Sequence, residues 1–533
     1  MGSEIRMKFW DNDTRKTSAS EPKAAPASNR PKVQQRKKSF WNYIGFEKTD
    51  DPSSNNGTKP VIDTQRFILT PEPDTPRPSR KRQKTDQPSR QRSFSPAPTA
   101  SPVTVAKQPR PSAPLLPLLQ LEYKLCHYIQ GFSHESLGHR RYEKRRQARS
   151  NAKGRKKKDD SDDEDNCLNL WGCAYETGPE ESAQVAICSA HSLLLLDPQQ
   201  GRYTMKYTHP EEHECFFTSA WTRLPITSTE ASSSTSGTSI LAAAGNLGSI
   251  KLLDTSTSQC YRYLLGHEKS ILKLAFVKQE PRWLFSASAD KTIRLWDIGT
   301  TAVDVDDSRC LAIFPCNNAG FPTSLTVSPD LSLLVVGTSK GDLMQFEIEE
   351  EHREKWKQAK VDGDEPTVMK LKVKFPHSEE YHFGYVDGIH LLGQDGDTDH
   401  PLDGYAVSRS SGDQEFIAWR PDTSTKKDAD IRVCLSFPNP NEASGIRFTV
   451  VEKDGCKVLI SGDEDGDLRL YHLGEDKVSK TLKDGSKEQL APERVLCHES
   501  SNHLIRDICV SESTKTIVAV NSDNSVFVWS ADD

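Results

Sequence analysis

From Cys167 onward the apolar residues fall into short runs in which every second position is apolar. Such runs, broken by polar turns, predict strands that bury one face. The runs also recur. Ser286-Ala-Ser-Ala-Asp-Lys-Thr-Ile-Arg-Leu-Trp296-Asp297 is the clearest copy, and segments ending at Tyr471 and Trp529 match it. Weaker copies end at Phe346, Leu253 and Trp419, and a faint one at Leu196. Each predicts a strand of small residues, a polar turn and a second strand. In the three best copies an aspartate, Asp290, Asp465 or Asp523, stands six residues before the closing aromatic.

Gly266-His267, Asp290 and Trp296-Asp297 resemble the signature of the WD-repeat family. The resemblance implies a hydrogen-bond chain from His267 through a strand serine (Ser286 or Ser288) and Asp290 to the Trp296 indole. Asp465, Asp523 and Trp529 are the matching structural positions elsewhere. Seven copies at about 40–50 residues each, over 167–533, imply an all-β fold, a seven-bladed WD-repeat β-propeller. The segments 227–238, 349–364 and 474–490 are polar or charged and are expected to be exposed connections between strands.

Residues 1–166 have a different pattern. Pro, Ser, Lys, Arg and Gln dominate, and apolar residues are too dispersed to bury a core, so a long disordered basic tail is expected. Two islands interrupt it: Phe40–Phe46, which suits docking to a partner, and Leu115–Ile129, which suits packing on the chain's own folded domain.

Charge sharpens this division. The net charge of −6 hides 34 basic and 14 acidic residues in 1–158, against 36 and 62 in the remainder. The arm is therefore at +20 and the rest at −26, and a basic arm points to a polyanion. Its compact clusters are Arg80, Lys81, Arg82 and Lys84, then Lys153, Arg155, Lys156, Lys157 and Lys158. Nuclear import signals, with or without phosphate contact to DNA, are the reading they support. Four Ser/Thr-Pro pairs, beginning at Thr70, Thr75, Ser95 and Ser101, suit proline-directed phosphorylation, which would offset the basic clusters. The 12 cysteines include no Cys-x-x-Cys pair, which fits reduced thiols in the cytosol or nucleus. No long apolar run predicts a membrane span, and Met1–Trp10 is no signal peptide.

Catalytic patterns are lacking: there is no phosphate loop, nucleophile elbow or His-Glu-x-x-His. His209 and His213 with Cys215 could offer metal ligands, and the Asp463–Asp467 and Asp395–Asp397 turns could offer calcium ligands. A polar loop and ordinary turn chemistry are the expected roles. No cofactor, no metal and no enzymatic activity are expected.

Further blocks carry a closer resemblance: Leu170–Glu176, Cys215–Thr222, Ile240–Gly245, Ala287–Gly299, Tyr385–Gly388 and Ser461–Gly466. Together they resemble the propeller of the leucine-rich repeat and WD repeat-containing family, associated with the origin recognition complex. More distantly they resemble the embryonic ectoderm development propeller of the Polycomb repressive complex. Residues 1–165 hold no leucine-rich repeat. The resemblance implies recognition of methylated histone lysine by aromatic rings, each cation–π contact being worth roughly 0.5–2 kcal/mol. The matching positions are Trp171 and Phe217, with Phe216 adjacent. The third aromatic position falls near Ser444-Gly445, with Phe448 the nearest ring, and Arg506 matches a nearby basic residue.

These readings combine as a nuclear, non-enzymatic chromatin scaffold. Its partners are expected to be histone tails, chromatin complexes (an origin recognition or methyltransferase complex) and, through the arm, DNA, with no membrane and no small-molecule substrate. A Polycomb-type subunit that stimulates a lysine methyltransferase and a substrate receptor of a ubiquitin ligase are the alternatives.

Overall fold

A computed structural model describes residues 8–9, 117–129 and 170–531. Excepted are 179–182, 226–236, 360–364, 375–381, 394–399, 412–414, 425–429, 437–444, 475–490, and positions 212, 303, 318, 383 and 454. The Phe40–Phe46 island, both basic clusters, and all or nearly all of the 227–238 and 474–490 connections lie outside the described residues.

The alternating runs form seven sheets, antiparallel but for one short parallel pairing of Thr367–Val368 at the edge of the third, and these are the blades of a seven-bladed β-propeller. Blade 1 runs Leu170–Tyr175, Val185–Ser189, Ser192–Asp197 and Arg202–Thr208 from its inner to its outer edge. The two-residue strand Lys8–Phe9 extends that outer edge. Blades 2 to 6 begin at Phe216, Ile271, Pro322, Val386 and Phe448. Blade 7 supplies Ile505–Val510, Thr516–Asn521 and Val526–Ala531. Its outer strand comes from Tyr123–Ile129, in the N-terminal part of the chain, paired with Val526–Ala531.

That pairing gives the Leu115–Ile129 island its place. Leu118 and Tyr123 are buried in the core shared by blades 6 and 7, and the Tyr123 hydroxyl donates to the Thr514 carbonyl. The Arg494 guanidinium donates to the Leu121 carbonyl. The folded unit thus draws on residues well ahead of 167. Without this strand the last-formed blade would offer an open edge of unpaired amides.

The third blade contains the full hydrogen-bond chain. The Trp296 indole donates to Ser286 Oγ at 2.8 Å; Ser286 Oγ is 2.7 Å from His267 Nε2; His267 Nδ1 is 2.7 Å from Asp290 Oδ2. Burial acts to raise the Asp290 pKa, but His267 and Thr292 hold it well below the usual carboxylate range. A second chain joins His382, Ser408 and the Trp419 indole at 2.8 and 3.0 Å. Asp465 and Asp523 do not occupy such a place. Both are exposed, and Asp523 lies 3.8 Å from His503 Nε2. The recurring turn acceptor stands two residues earlier. Ser288, Asp463 and Asn521 each accept a backbone N–H from the residue two positions on, at 3.0–3.1 Å. Three positions further along, Lys291, Gly466 and Asn524 have φ of 69°, 96° and 61°, the left-handed residue that closes the turn.

One expectation fails. Residues 349–364 do not form a simple exposed connection, because Glu350–Gln358 is a helix. Its Trp356 is buried and meets Trp283 edge-on at 6.0 Å. One large ring anchors an otherwise charged helix on the side of blade 3.

The His209–Cys215 stretch is also informative. His209 is buried between the Phe216 and Tyr263 rings, 3.1 Å from the Tyr207 hydroxyl. Beneath it Lys251 and Glu214 form a fully buried ion pair. Among the described residues no group of three His, Cys, Asp or Glu is arranged to hold a metal ion. No helix there is long and apolar enough to cross a membrane.

Two outcomes follow. A chain starting at residue 130 should lose roughly 3–6 kcal/mol from Leu118 and Tyr123 alone, melt well below the full chain and aggregate. Calorimetry with light scattering checks this, and an unchanged melt would show the strand to be dispensable. The second concerns pH. Burial, then Lys251, lowers His209 to about 4 from 6.5. The unfolded chain therefore binds a proton that the folded one refuses, and stability falls as pH drops from about 6.5 toward 4. Melting curves across that window should be less acid-sensitive in His209→Gln, and an equal slope in both proteins would exclude His209 as a source.

Candidate functional site: the channel and its mouth

The innermost strands share one irregularity. In blades 1 to 5 and 7 the register with the neighbouring strand slips just after the first pair. The residues left out of the ladder are Trp171, Phe217, Leu272, Thr323, Asp387 and Arg506. In blade 6 Arg447 stands directly before the first pair, Phe448 with Ser461. A bulge re-aims its extra side chain: Trp171, Phe217 and Leu272 cluster with Arg506 beside them, whereas Thr323, Asp387 and Arg447 line the channel cavity.

The first two, with Leu272, Phe321 and Tyr385, form an apolar cluster across blades 1 to 5. Trp171 and Phe217 meet edge-on at 5.8 Å, and Phe321 and Tyr385 at 6.3 Å. The guanidinium of Arg506 lies 4.3 Å from the centre of the Trp171 ring. It makes no ion pair among the described residues, and burial, then Arg447, pushes its pKa down to about 10. This is a seat for a cation, built from an aromatic face without a carboxylate and filled by the chain itself.

Of the five expected aromatic and basic positions, Trp171, Phe217 and Arg506 meet here. Phe216 does not, since alternation turns it into the core between blades 1 and 2, where Lys251 Nζ lies 5.5 Å from its ring centre. Phe448 lies deeper. It packs edge-on against Phe416 at 5.0 Å, and a Cβ on Gly388 would come within 2.7 Å of its ring. Phe321 and Tyr385 were not singled out from the sequence. Neither carries a local signal that sets it apart from other strand-edge aromatics, and only the ring of blades brings the two together.

Below the mouth is a cavity of about 270 Å³ walled by the innermost strands of all seven blades. Three of its charged groups are tightly tied. The Arg447 guanidinium donates to Asp507 at 3.0 Å, and to the carbonyls of Phe217 and Leu272 at 3.1 and 3.5 Å. Asp507 also accepts the Cys173 N–H at 3.1 Å. Asp387 accepts from Arg409 at 2.6 Å and from the Gly445 N–H at 2.7 Å, with Arg409 and Asp387 both fully buried.

Residues 153–362 match the family described as leucine-rich repeat and WD repeat-containing protein 1, WD domain. The chain is a seven-bladed β-propeller similar to that domain. It is 24% identical over 380 residues to leucine-rich repeat and WD repeat-containing protein 1 of Xenopus laevis, covering 69% of this chain and 50% of that protein. The human protein is also 24% identical, over 378 residues, covering 68% and 54%. The chain thus spans about half the length of these relatives. Polycomb protein esc of Drosophila melanogaster is 24% identical over 391 residues, covering 69% of this chain and 82% of that one. Among solved structures, a chain of the Chaetomium thermophilum Polycomb repressive complex 2 superposes with TM-score 0.55 at 13% identity, covering 77% of this chain and 98% of that one. That likeness concerns the fold.

Packing around Arg447 leaves no slack at Gly172. A Cβ there would lie 2.8 Å from Arg447 Nη1, 3.1 Å from the Phe217 carbonyl and 3.2 Å from Asp507 Oδ2. Gly172→Ala should therefore destabilise the fold by roughly 1–3 kcal/mol, as measured by urea unfolding. A change within experimental error would show that Arg447 can move aside.

Proposed function

We propose that this protein is a nuclear, non-catalytic chromatin scaffold whose propeller mouth receives a cationic side chain from a histone tail, with trimethyl-lysine the form that suits it. The observation that carries this reading is the Arg506 guanidinium on the Trp171 face, with no ion-pair partner among the described residues. An unmodified ammonium needs hydrogen-bond acceptors when it leaves water. A trimethylammonium needs none, and aromatic faces suffice. The incoming cation must exchange with Arg506, which sets a cost on binding and makes the affinity low. The acidic body suits basic tails, at 36 basic against 62 acidic residues in 159–533.

The relatives support the chromatin setting: two carry the Polycomb name or belong to a Polycomb complex. On this reading the arm clusters at Arg80–Lys84 and Lys153–Lys158 serve nuclear import and DNA phosphate contact. The same mouth would serve in an origin recognition complex or a methyltransferase complex, and purification from nuclei with identification of co-purifying proteins separates the two.

The test is fluorescence polarisation with the full chain and labelled histone-tail peptides, unmodified and trimethylated. Trimethylated peptides should bind several-fold tighter. Arg506→Gln, which empties the seat, should widen that preference, and Trp171→Leu should remove it. Equal binding of both peptides by the wild type and by Arg506→Gln would overturn the reading.

A further inference from the structure

The charged groups of the channel cavity are unequally tied. Its lining holds two cations, Lys273 and Arg447, and two carboxylates, Asp387 and Asp507, with Arg409 and Arg506 outside that lining. The carboxylates are spoken for. Asp387 is held by Arg409 and the Gly445 N–H. Asp507 is held by Arg447 and by the N–H groups of Cys173 and Ile508. Arg506 rests on the Trp171 ring.

Lys273 is the cation with no such arrangement. It stands on the innermost strand of blade 3 and lines the cavity, and it makes no hydrogen bond or ion pair among the described residues. Next to it around the ring, on blade 4, Ser324 also lines the cavity. That serine is 3% exposed, and its hydroxyl has no hydrogen-bond partner among the described residues. An ammonium and a buried hydroxyl left unsatisfied in one enclosed space are each costly. Burial, then Arg447, also lowers the Lys273 pKa. Both groups can donate a hydrogen bond into the cavity.

We infer that the channel is a binding site for a compact oxyanion, a phosphate or carboxylate group, held by the Lys273 ammonium and the Ser324 hydroxyl. Charge-assisted donation from Lys273 supplies most of the affinity. Arg447 adds field from the wall while keeping its bonds to Asp507. At about 270 Å³ the cavity exceeds what one such group fills, leaving room for water or for a small organic body attached to it. The site lies beneath the aromatic mouth and takes the opposite charge, so it stands independently of the histone reading.

Calorimetric titration of the full chain at matched ionic strength tests this, with inorganic phosphate and acetate as separate probes and chloride as the control. Saturable binding of phosphate or of acetate is expected, with the better probe telling tetrahedral from planar anions. Lys273→Met should weaken it at least tenfold, and Ser324→Ala several-fold. Melting temperatures guard against misfolding. Without added anion, Lys273→Met should melt no lower than the wild type, because it removes an uncompensated buried charge, whereas the anion should raise the melt of the wild type alone. Titrations indistinguishable from chloride, or binding retained in Lys273→Met, would overturn the inference.

Discussion

The Arg447 guanidinium ties together five of the seven blades. It projects from the start of blade 6, pairs with Asp507 of blade 7, and donates to main-chain carbonyls of blades 2 and 3. Through Asp507 it also reaches the Cys173 N–H of blade 1. Breaking a buried ion pair by removing one partner typically costs about 3–5 kcal/mol. Here the loss would fall on several blades at once. The blades' apolar interfaces hold neighbour to neighbour, whereas this cluster holds across the channel. It also fixes the backbone at Phe217, and with it one wall of the aromatic mouth.

Much of the fold was legible because its signals are local. Alternation needs only a handful of consecutive residues, and the His267, Asp290 and Trp296 chain lies within one blade. What was not legible depends on long separations or small shifts of position. Arg447 is a lone arginine between a Gly-Ile pair and a strand, and nothing near it in sequence announces five blades' worth of contacts. The chain of His382, Ser408 and Trp419 lacks the Gly-His pair that exposes its counterpart in blade 3. Asp463 and Asp465 are two residues apart, and counting back from Tyr471 selects the exposed one. Blade 3 explains the ambiguity. It uses Ser288 for the turn and Asp290 for the histidine, whereas blades 6 and 7 keep only the turn acceptor, as Asp463 and Asn521. The helix at Glu350–Gln358 was missed for another reason: its burial rests on one Trp356 in a run that is otherwise nearly all polar.

The bulges explain how one fold can carry different chemistry on the same ring of positions. Slipping the register fixes where each extra side chain goes but leaves its type free, because that residue has no cross-strand partner to satisfy. Blades 1 to 3 place Trp171, Phe217 and Leu272 there, blade 5 places Asp387 and blade 7 Arg506, while blade 6 sets Arg447 beside them without a bulge. The mouth therefore has an apolar side and a charged side, with Arg506 leaning from the second onto the first. The next inward residues, Lys273 and Ser324, follow the bulges directly and face the cavity rather than the mouth. On blade 3 a step of one residue, from Leu272 to Lys273, thus moves from the aromatic cluster to the cavity lining. That step separates the two sites within a single strand.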